Sequence, residues 1–387
     1  MVKISGHYLW TTTVPVIVRG GPHEQIHHRP PRRRGQLHAF SVIRRLIFVV
    51  LLAVMVGTGG PTGAPAAPAA AAGAGDPVAV DRFIMEQMER HRIPGVSVAL
   101  FKDGRIIYAA GYGKADRDAA MEPDTPMPIG SITKVLTAVA VLQLIEDGRM
   151  DLDVPVRRYL PWFDVADEAA SGTITVRHLL HHTSGLSQPG YNRVPPAGTT
   201  LEQGVRDLSH ASPTAPVGAK YQYFNGNYST LALIIEEVSG QRYGDFIRTG
   251  IFDPLGMDRS DATFSEAGGA QGHSKLFGFP VNQDVPAYQY MLGAGHATST
   301  APDLARLALA LENGGAYGGL RILSPASVNL MRIPPPIDGA PYGLGWELRE
   351  HGGGHIGGPH PEAGPAHRSC PVPATTASTT STRSCPR

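Results

Sequence analysis

The chain has little cysteine and little net charge, and each shortage excludes a class of function. Its 387 residues include only two cysteines, Cys370 and Cys385, both near the C-terminus. The remaining sequence therefore has no disulfide framework, no thiol nucleophile and no cysteine-based metal site. The formal net charge is +1 at pH 7, which gives no reason to expect a nucleic acid as partner. Hydrophobic residues make up 42% of the chain, enough for a sizeable core.

Long apolar runs are also missing, and the apolar stretch 46–56 is shorter than the roughly 20 residues that a membrane-spanning helix needs. Arginines at 44 and 45 precede it, and a Pro/Ala stretch with the sequence Ala-Pro-Ala at 64–66 follows it. This order is typical of a secretory signal. We therefore expect an exported protein in which residues 1–75 form a basic N-terminus, a signal and a linker. Cleavage and release is the first interpretation. The second is a retained anchor, formed by residues 46–60, on the outer face of the cytoplasmic membrane.

Hydrophobic periodicity and turn residues divide the rest of the chain into helices and strands. The predicted helices are 78–93, 131–146, 176–181, 227–238 and 301–313, and the predicted strands are 96–101, 105–111 and 342–349. Helices between N-terminal and C-terminal strands predict an α+β domain over 76–358, with an antiparallel sheet formed by both chain ends beside a mostly helical subdomain. Residues 359–387 are rich in Pro, Ala, Thr and Ser without apolar periodicity, which predicts a disordered tail.

The sequence Ser131-Ile-Thr-Lys134 is the only Ser-x-x-Lys spacing in the chain, which contains six lysines. Residues three apart lie on one face of a helix, so the lysine amine can approach the serine hydroxyl. A helix start behind Gly130 places Ser131 where developing negative charge is favoured. A desolvated lysine is able to take the proton of a serine nucleophile. The alternative is a helix-capping serine beside a solvated lysine.

A second candidate is Tyr223-Phe-Asn225, the only Tyr-x-Asn in the chain. In an extended segment the first and third side chains point to the same side. A phenol near cations relays protons, and an asparagine amide orients a carbonyl group. The alternative is that Tyr223 only packs and Asn225 only caps the following helix.

Together these motifs resemble the serine β-lactamase-related family, which includes class C β-lactamases, D-Ala-D-Ala carboxypeptidases and related esterases. Four further segments carry the resemblance: ITVRHLLHHTSGL at 174–186, LIIEEVSG at 233–240, FDPLGM at 252–257 and YGLGW at 342–346. The resemblance covers roughly residues 78–350. It implies a β-lactamase/transpeptidase-like fold, a small-molecule or cell-wall peptide substrate, and no cofactor. It also indicates that His181 and His182 are structural rather than metal ligands.

The resemblance implies a role for each motif residue. Ser131 attacks a carbonyl carbon and becomes acylated, Lys134 and Tyr223 carry protons, and Asn225 contacts the substrate amide. The backbone N–H of Ser131 is one donor of the oxyanion hole.

The family places a second oxyanion donor on a strand with Lys-Thr-Gly or His-x-Gly. The first candidate here uses His351 and Gly353 for substrate contact and Gly354 for the oxyanion hole, and residues 355–357 are a second candidate. This Gly- and His-rich stretch need not be a strand at all. The composition changes soon after Arg349, so we expect incomplete C-terminal strands from a frame change or truncation near 350–358. Loss of one such donor costs about 10²–10³ in rate.

Two hypotheses from different classes follow. The first is a serine hydrolase that acts by an acyl-enzyme on an amide or ester, such as a β-lactam, a D-Ala peptide or a small ester. The second is a catalytically impaired protein on the same scaffold that binds cell-wall peptide or regulates. A metalloenzyme ranks third, because the sixteen histidines form no strong ligand motif. The choice of substrate and the oligomeric state stay open, since one scaffold serves many reactions.

Overall fold

The computed structural model describes residues 49–53, 77–191, 193–196, 198–263, 269–276, 279–282, 288–351 and 354–356. The α-helices are α1 (Pro77–His91), α2 (Thr133–Glu146), α3 (Glu168–Thr173), α4 (Val176–Leu180), α5 (Leu201–Arg206), α6 (Asn225–Ser239), α7 (Tyr243–Ile247), α8 (Asp253–Leu255), α9 (Leu292–Gly295), α10 (Ala301–Glu312) and α11 (Pro325–Leu330). The strands are β1 (Val49–Ala53), β2 (Gly95–Lys102), β3 (Arg105–Gly113), β4 (Met127–Pro128), β5 (His273–Leu276), β6 (Phe279–Asn282), β7 (Thr298–Ser299), β8 (Ala316–Tyr317), β9 (Leu320–Arg321), β10 (Arg349–His351) and β11 (Gly354–Ile356).

The N-terminal part of the domain is an antiparallel sheet in the order β1-β2-β3, covered by α1. Helix α1 begins at Pro77, which suits a first helical position because it has no N–H to leave unpaired. Its buried residues Val80 and Ile84 pack onto the sheet. Strands β2 and β3 are joined at Asp103 and Gly104, both with positive φ, as a tight hairpin requires. The predicted first helix and hairpin are confirmed.

Helix α2 lies at the centre of the helical part, packed between α6 and α9. Eleven of its fourteen residues are buried, because apolar side chains occupy almost every side of the helix. The predicted helices 176–181, 227–238 and 301–313 correspond to α4, α6 and α10. The N-terminal ends of α2 and α6, at which the two motifs lie, therefore come close together.

The predicted α+β class is confirmed, but the C-terminal strands differ from the expectation. In the part of the chain that the structure describes, β10 and β11 pair only with each other and do not join the sheet of β1, β2 and β3. The strand predicted over 342–349 is wrong. Gly345 has φ 80° and the Gly343 N–H donates to the Trp346 carbonyl at 2.8 Å, so the chain turns there. The turn brings Gly345 against α2, where a β-carbon would lie 2.9 Å from the Lys134 carbonyl oxygen.

Several predictions concern residues that the structure does not describe. They are the signal and linker at 1–75 apart from β1, the substrate contact at Gly353, and the tail at 359–387. Across the described ranges, no helix combines the length and the apolar character needed to cross a membrane.

Candidate active site

Ser131 lies on the short 3₁₀ turn Gly130–Ile132 that leads directly into α2. Gly130 has φ 51°, a left-handed conformation that glycine adopts without strain. The Thr133 hydroxyl donates to the Gly130 carbonyl at 2.7 Å and accepts from the Ala297 N–H at 3.2 Å. These bonds tie the turn to the segment that leads into β7. The Ser131 side chain itself remains exposed, as a nucleophile must be.

Lys134 lies one helical turn further on and is completely buried, at 0% exposure. Its Nζ donates to Ser131 Oγ at 3.2 Å, to Asn225 Oδ1 at 2.9 Å and to the Ala294 carbonyl at 2.5 Å. Burial penalises the charged amine and lowers the pKa of Lys134 to about 7. Near neutral pH, a large share of the molecules therefore carries a neutral amine within reach of the serine hydroxyl.

Tyr223 also contacts Ser131, with its hydroxyl 2.7 Å from Ser131 Oγ. Its ring centroid lies 4.8 Å from Lys134 Nζ. The side chain keeps 40% of its surface exposed, but its crowded surroundings desolvate the phenol and raise the pKa of Tyr223 to about 12. The Glu347 carboxylate raises this pKa further, and the hydrogen bond with Ser131 acts against the rise. The phenol is thus protonated at neutral pH.

Asn225 is the first residue of α6, and Phe224 before it is extended, with φ −147° and ψ 123°. This conformation directs the Tyr223 and Asn225 side chains to the same place, as the alternation of an extended segment predicts. Because Asn225 Oδ1 accepts from Lys134, the NH₂ group lies on the far side of the amide. The structure therefore brings Ser131, Lys134, Tyr223 and Asn225 into one cluster.

The sequence did not reveal the third hydrogen-bond partner of the Lys134 amine, the carbonyl of Ala294 in α9. A backbone carbonyl leaves no signal in residue type, so only the packing of α9 against α2 and α6 discloses it. His182 also lies beside the cluster, with its ring centroid 4.4 Å from that of Tyr223. The sequence feature that could have pointed to His182 is its place in the His-His-Thr-Ser-Gly-Leu segment.

The predicted C-terminal contributors lie in a hairpin, where His351 of β10 is paired with Gly354 of β11. Their roles in substrate contact and in the oxyanion hole, like that of Gly353, stay predictions. Within the described residues, no group of three or more His, Cys, Asp or Glu is placed to hold a metal ion.

Comparison with known proteins shows the family of the chain. The family model described as Beta-lactamase matches residues 80–369. Penicillin-binding protein 4 of Amycolatopsis lactamdurans is 31% identical over 287 residues, which cover 69% of this chain and 75% of that protein. The octameric penicillin-binding protein homologue from Pyrococcus abyssi is 28% identical, with a TM-score of 0.60 over 72% of this chain and 67% of the other. The D-amino acid amidase from Ochrobactrum anthropi SV3 is 26% identical, with a TM-score of 0.61 over 73% of this chain and 84% of the other. With the match extending over most of the chain, and the Ser-x-x-Lys and Tyr-x-Asn residues meeting in one cluster, this protein belongs to the β-lactamase family.

Proposed function

We propose that the chain is an exported serine hydrolase that cleaves an amide or ester through an acyl-enzyme on Ser131. One observation carries the proposal. The hydroxyl oxygen of Ser131 lies within hydrogen-bonding distance of both a buried lysine amine and a tyrosine hydroxyl. The pKa of Lys134, lowered by burial to about 7, makes that amine a base at neutral pH. The raised pKa of Tyr223, about 12, makes the phenol a proton donor.

The reaction follows from these two protonation states. Neutral Lys134 takes the proton of Ser131, and Ser131 Oγ attacks the carbonyl carbon of the substrate. The Tyr223 O–H gives its proton to the leaving nitrogen or oxygen as the carbonyl–heteroatom bond breaks, which leaves an ester on Ser131. The proton held by Lys134 then restores the phenol. Water, activated by the same pair, cleaves the ester and returns the free serine.

Two further features support parts of the proposal. The Asn225 NH₂ group, directed away from Lys134, is free of that contact and suits a substrate carbonyl oxygen. The basic, apolar and Pro/Ala order of the N-terminus supports export. Among the relatives, one is named a penicillin-binding protein and another a D-amino acid amidase, which supports an amide substrate.

Covalent labelling tests the proposal. The full chain is incubated with a fluorescent penicillin and, separately, with a fluorescent fluorophosphonate, and the labelled peptide is identified by mass spectrometry. We expect label on Ser131 and none in Ser131→Ala. Ser212→Ala, which changes an exposed serine outside the cluster, is the matched control and retains the label. Labelling that survives in Ser131→Ala would refute the assignment of the nucleophile.

The hairpin of β10 and β11 favours a second candidate, a binding protein that is acylated slowly or not at all. Among the described residues these strands pair only with each other, so the predicted second oxyanion donor, Gly354, lies outside the sheet of β1, β2 and β3. A protein of this kind binds cell-wall peptide equally well before and after Ser131→Ala, and releases no product. Product release that is lost in Ser131→Ala would favour the hydrolase over the binding protein.

A further inference from the structure

His182 follows α4 and is a buried histidine in an uncommon backbone conformation. Its φ is 57°, in the left-handed region that non-glycine residues rarely adopt. Its exposure is 0%. A buried side chain on a left-handed residue is held there by its surroundings, and such positions occur often near functional sites. The surroundings of His182 include the residues on either side of Tyr223.

Two hydrogen bonds from this one residue bracket the backbone of Tyr223. The His182 carbonyl accepts from the Gln222 N–H at 2.7 Å. On the other side, His182 Nδ1 accepts from the Phe224 N–H at 3.2 Å. The left-handed φ allows the main chain and the ring of His182 to reach the same extended segment. The residues before and after Tyr223, Gln222 and Phe224, are therefore both hydrogen-bonded to His182.

The ring of His182 also supports the ring of Tyr223. Their centroids are 4.4 Å apart, with planes inclined by 37°. The rings of Tyr228 and Tyr342 enclose His182 at 5.0 Å and 4.8 Å. The Tyr223 ring accordingly rests on a packed aromatic cluster, while part of its surface stays exposed to solvent.

The hydrogen-bond pattern fixes the tautomer of His182. The Ser184 hydroxyl donates to Asn227 Oδ1 at 2.8 Å, so the Asn227 NH₂ group is the part that meets His182 Nδ1, at 3.2 Å. With a second donor from the Phe224 N–H, Nδ1 is an acceptor and Nε2 carries the hydrogen. Among the described residues, the buried Nε2 atom has no hydrogen-bond partner. Burial, and then the nearby Lys134 and His181, hold the pKa of His182 well below its usual value.

We propose that His182 is a positioning residue for Tyr223, which acts through Nδ1 and its ring face to hold the phenol within hydrogen-bonding distance of Ser131. This inference rests on the proposed acylation of Ser131. An apolar side chain of similar size could fill the space that the His182 ring occupies among the rings of Tyr223, Tyr228 and Tyr342. What an apolar side chain lacks is the acceptor for the Phe224 N–H.

A double-mutant cycle separates positioning from general structural support. The second-order rate constant for acylation of Ser131 by a fluorescent penicillin is measured for the full chain, for His182→Phe, for Tyr223→Phe and for the double variant. Each value is normalised to the folded fraction from circular dichroism. We expect His182→Phe to lower the rate about 10²-fold when Tyr223 is present, as a displaced catalytic group does. In the Tyr223→Phe background the same change is expected to have less than about a twofold effect.

Two further variants make the test specific. In His182→Asn the Oδ1 atom replaces the Nδ1 acceptor, and asparagine tolerates a left-handed φ, so this variant is expected to retain more acylation than His182→Phe. His181→Phe, at another buried histidine, is expected to cause the same loss in both backgrounds. If the phenylalanine variant of His182 does not fold, the asparagine variant enters the cycle in its place, and its loss is again expected only when Tyr223 is present.

Equal losses from His182→Phe with and without Tyr223, or an asparagine variant no better than phenylalanine, would overturn the positioning role. These outcomes leave the proposed hydrolase intact, because Ser131 is still labelled in the unmodified chain. Failure of the unmodified chain to be labelled rejects the proposed function, and the inference on His182 is rejected with it.

Discussion

Replacing Asn225 by aspartate puts a negative charge beside the buried amine of Lys134. In the unmodified chain, Asn225 Oδ1 lies 2.9 Å from Lys134 Nζ. Aspartate keeps the shape and the oxygen but converts a hydrogen bond into an ion pair. Two unit charges at this distance attract by about 6 kcal/mol at an effective dielectric constant of about 20. Asn225 is only half-buried, so water screens the pair, and we expect the pKa of Lys134 to rise from about 7 to between about 8 and 10.

The direction of the effect on the rate follows from the role of the amine. Lys134 accepts the Ser131 proton only when it is neutral, so a higher pKa moves the acid limb of the acylation profile to higher pH. At pH 7 the neutral fraction falls from about one half to between about one tenth and one thousandth. The acylation rate is expected to fall by about 5- to 500-fold at that pH. Raising the pH increases the rate about tenfold for each pH unit until the new pKa is passed, up to a plateau that is lowered by the loss of the Asn225 NH₂ group.

The assay is the second-order rate of Ser131 labelling by a fluorescent penicillin, measured from about pH 5 to about pH 10 on folded protein. Asn225→Ala, which removes the oxygen without adding charge, is expected to lower the plateau but keep the acid limb near its original position. Gln241→Glu adds a charge just beyond the far end of α6 and is expected to leave the profile unchanged. An acid limb at the same pH in Asn225→Asp and the unmodified chain would refute Lys134 as the base.

Three other perturbations have definite expected outcomes. Because its folded pKa of about 7 lies below the usual 10.5, Lys134 destabilises the fold by up to about 5 kcal/mol below pH 7, and this cost fades as the pH rises toward 10.5. The difference in melting temperature between Lys134→Met and the unmodified chain is therefore expected to favour the variant more at pH 6 than at pH 9.5. A difference in melting temperature that does not change with pH would contradict this expectation. Gly293→Ala places a β-carbon 2.4 Å from a backbone oxygen of α6, so it is expected to displace Ala294, lower the melting temperature and slow acylation. Gly172→Ala, with open space at its β-carbon, is the control and is expected to change stability by no more than about 1 kcal/mol. Tyr223→Phe is expected to slow acylation about 10²–10⁴-fold while the acid limb stays near pH 7, and an acid limb displaced by this change would assign that limb to the phenol instead.

The parts of the fold predicted from sequence are those set by local patterns. The helix containing Lys134 follows from apolar spacing, and the hairpin at Asp103 and Gly104 follows from turn chemistry. A related reason allowed the sequence to predict that Ser131 lies near Lys134 and that Tyr223 lies on the same side as Asn225. Each pair has a spacing that puts its two side chains on one side of a helix start or of an extended segment.

The parts that the sequence did not predict depend on contacts between distant segments. The run 342–349 has strand-like composition, yet its path is decided by Gly345, whose approach to α2 needs φ 80°. The contact from Ala294 is made by a backbone carbonyl, so no substitution pattern marks it. The left-handed φ of His182 could likewise not be predicted from the His-His sequence, because tertiary packing imposes it.

The nucleophile and its partners come from three separated stretches of the chain. Ser131 and Tyr223 are 92 positions apart, and Lys134 and Ala294 are 160 positions apart. Bringing such distant segments together is the slow part of folding, since loop closure comes before the contacts that stabilise it. If Ser131 is acylated only in the assembled site, covalent labelling therefore also measures the rate of folding. The labelling reagent is added at intervals after dilution from denaturant. The labelled fraction at each time gives the fraction of molecules in which α9 has already docked. No fluorophore needs to be attached to the chain beforehand.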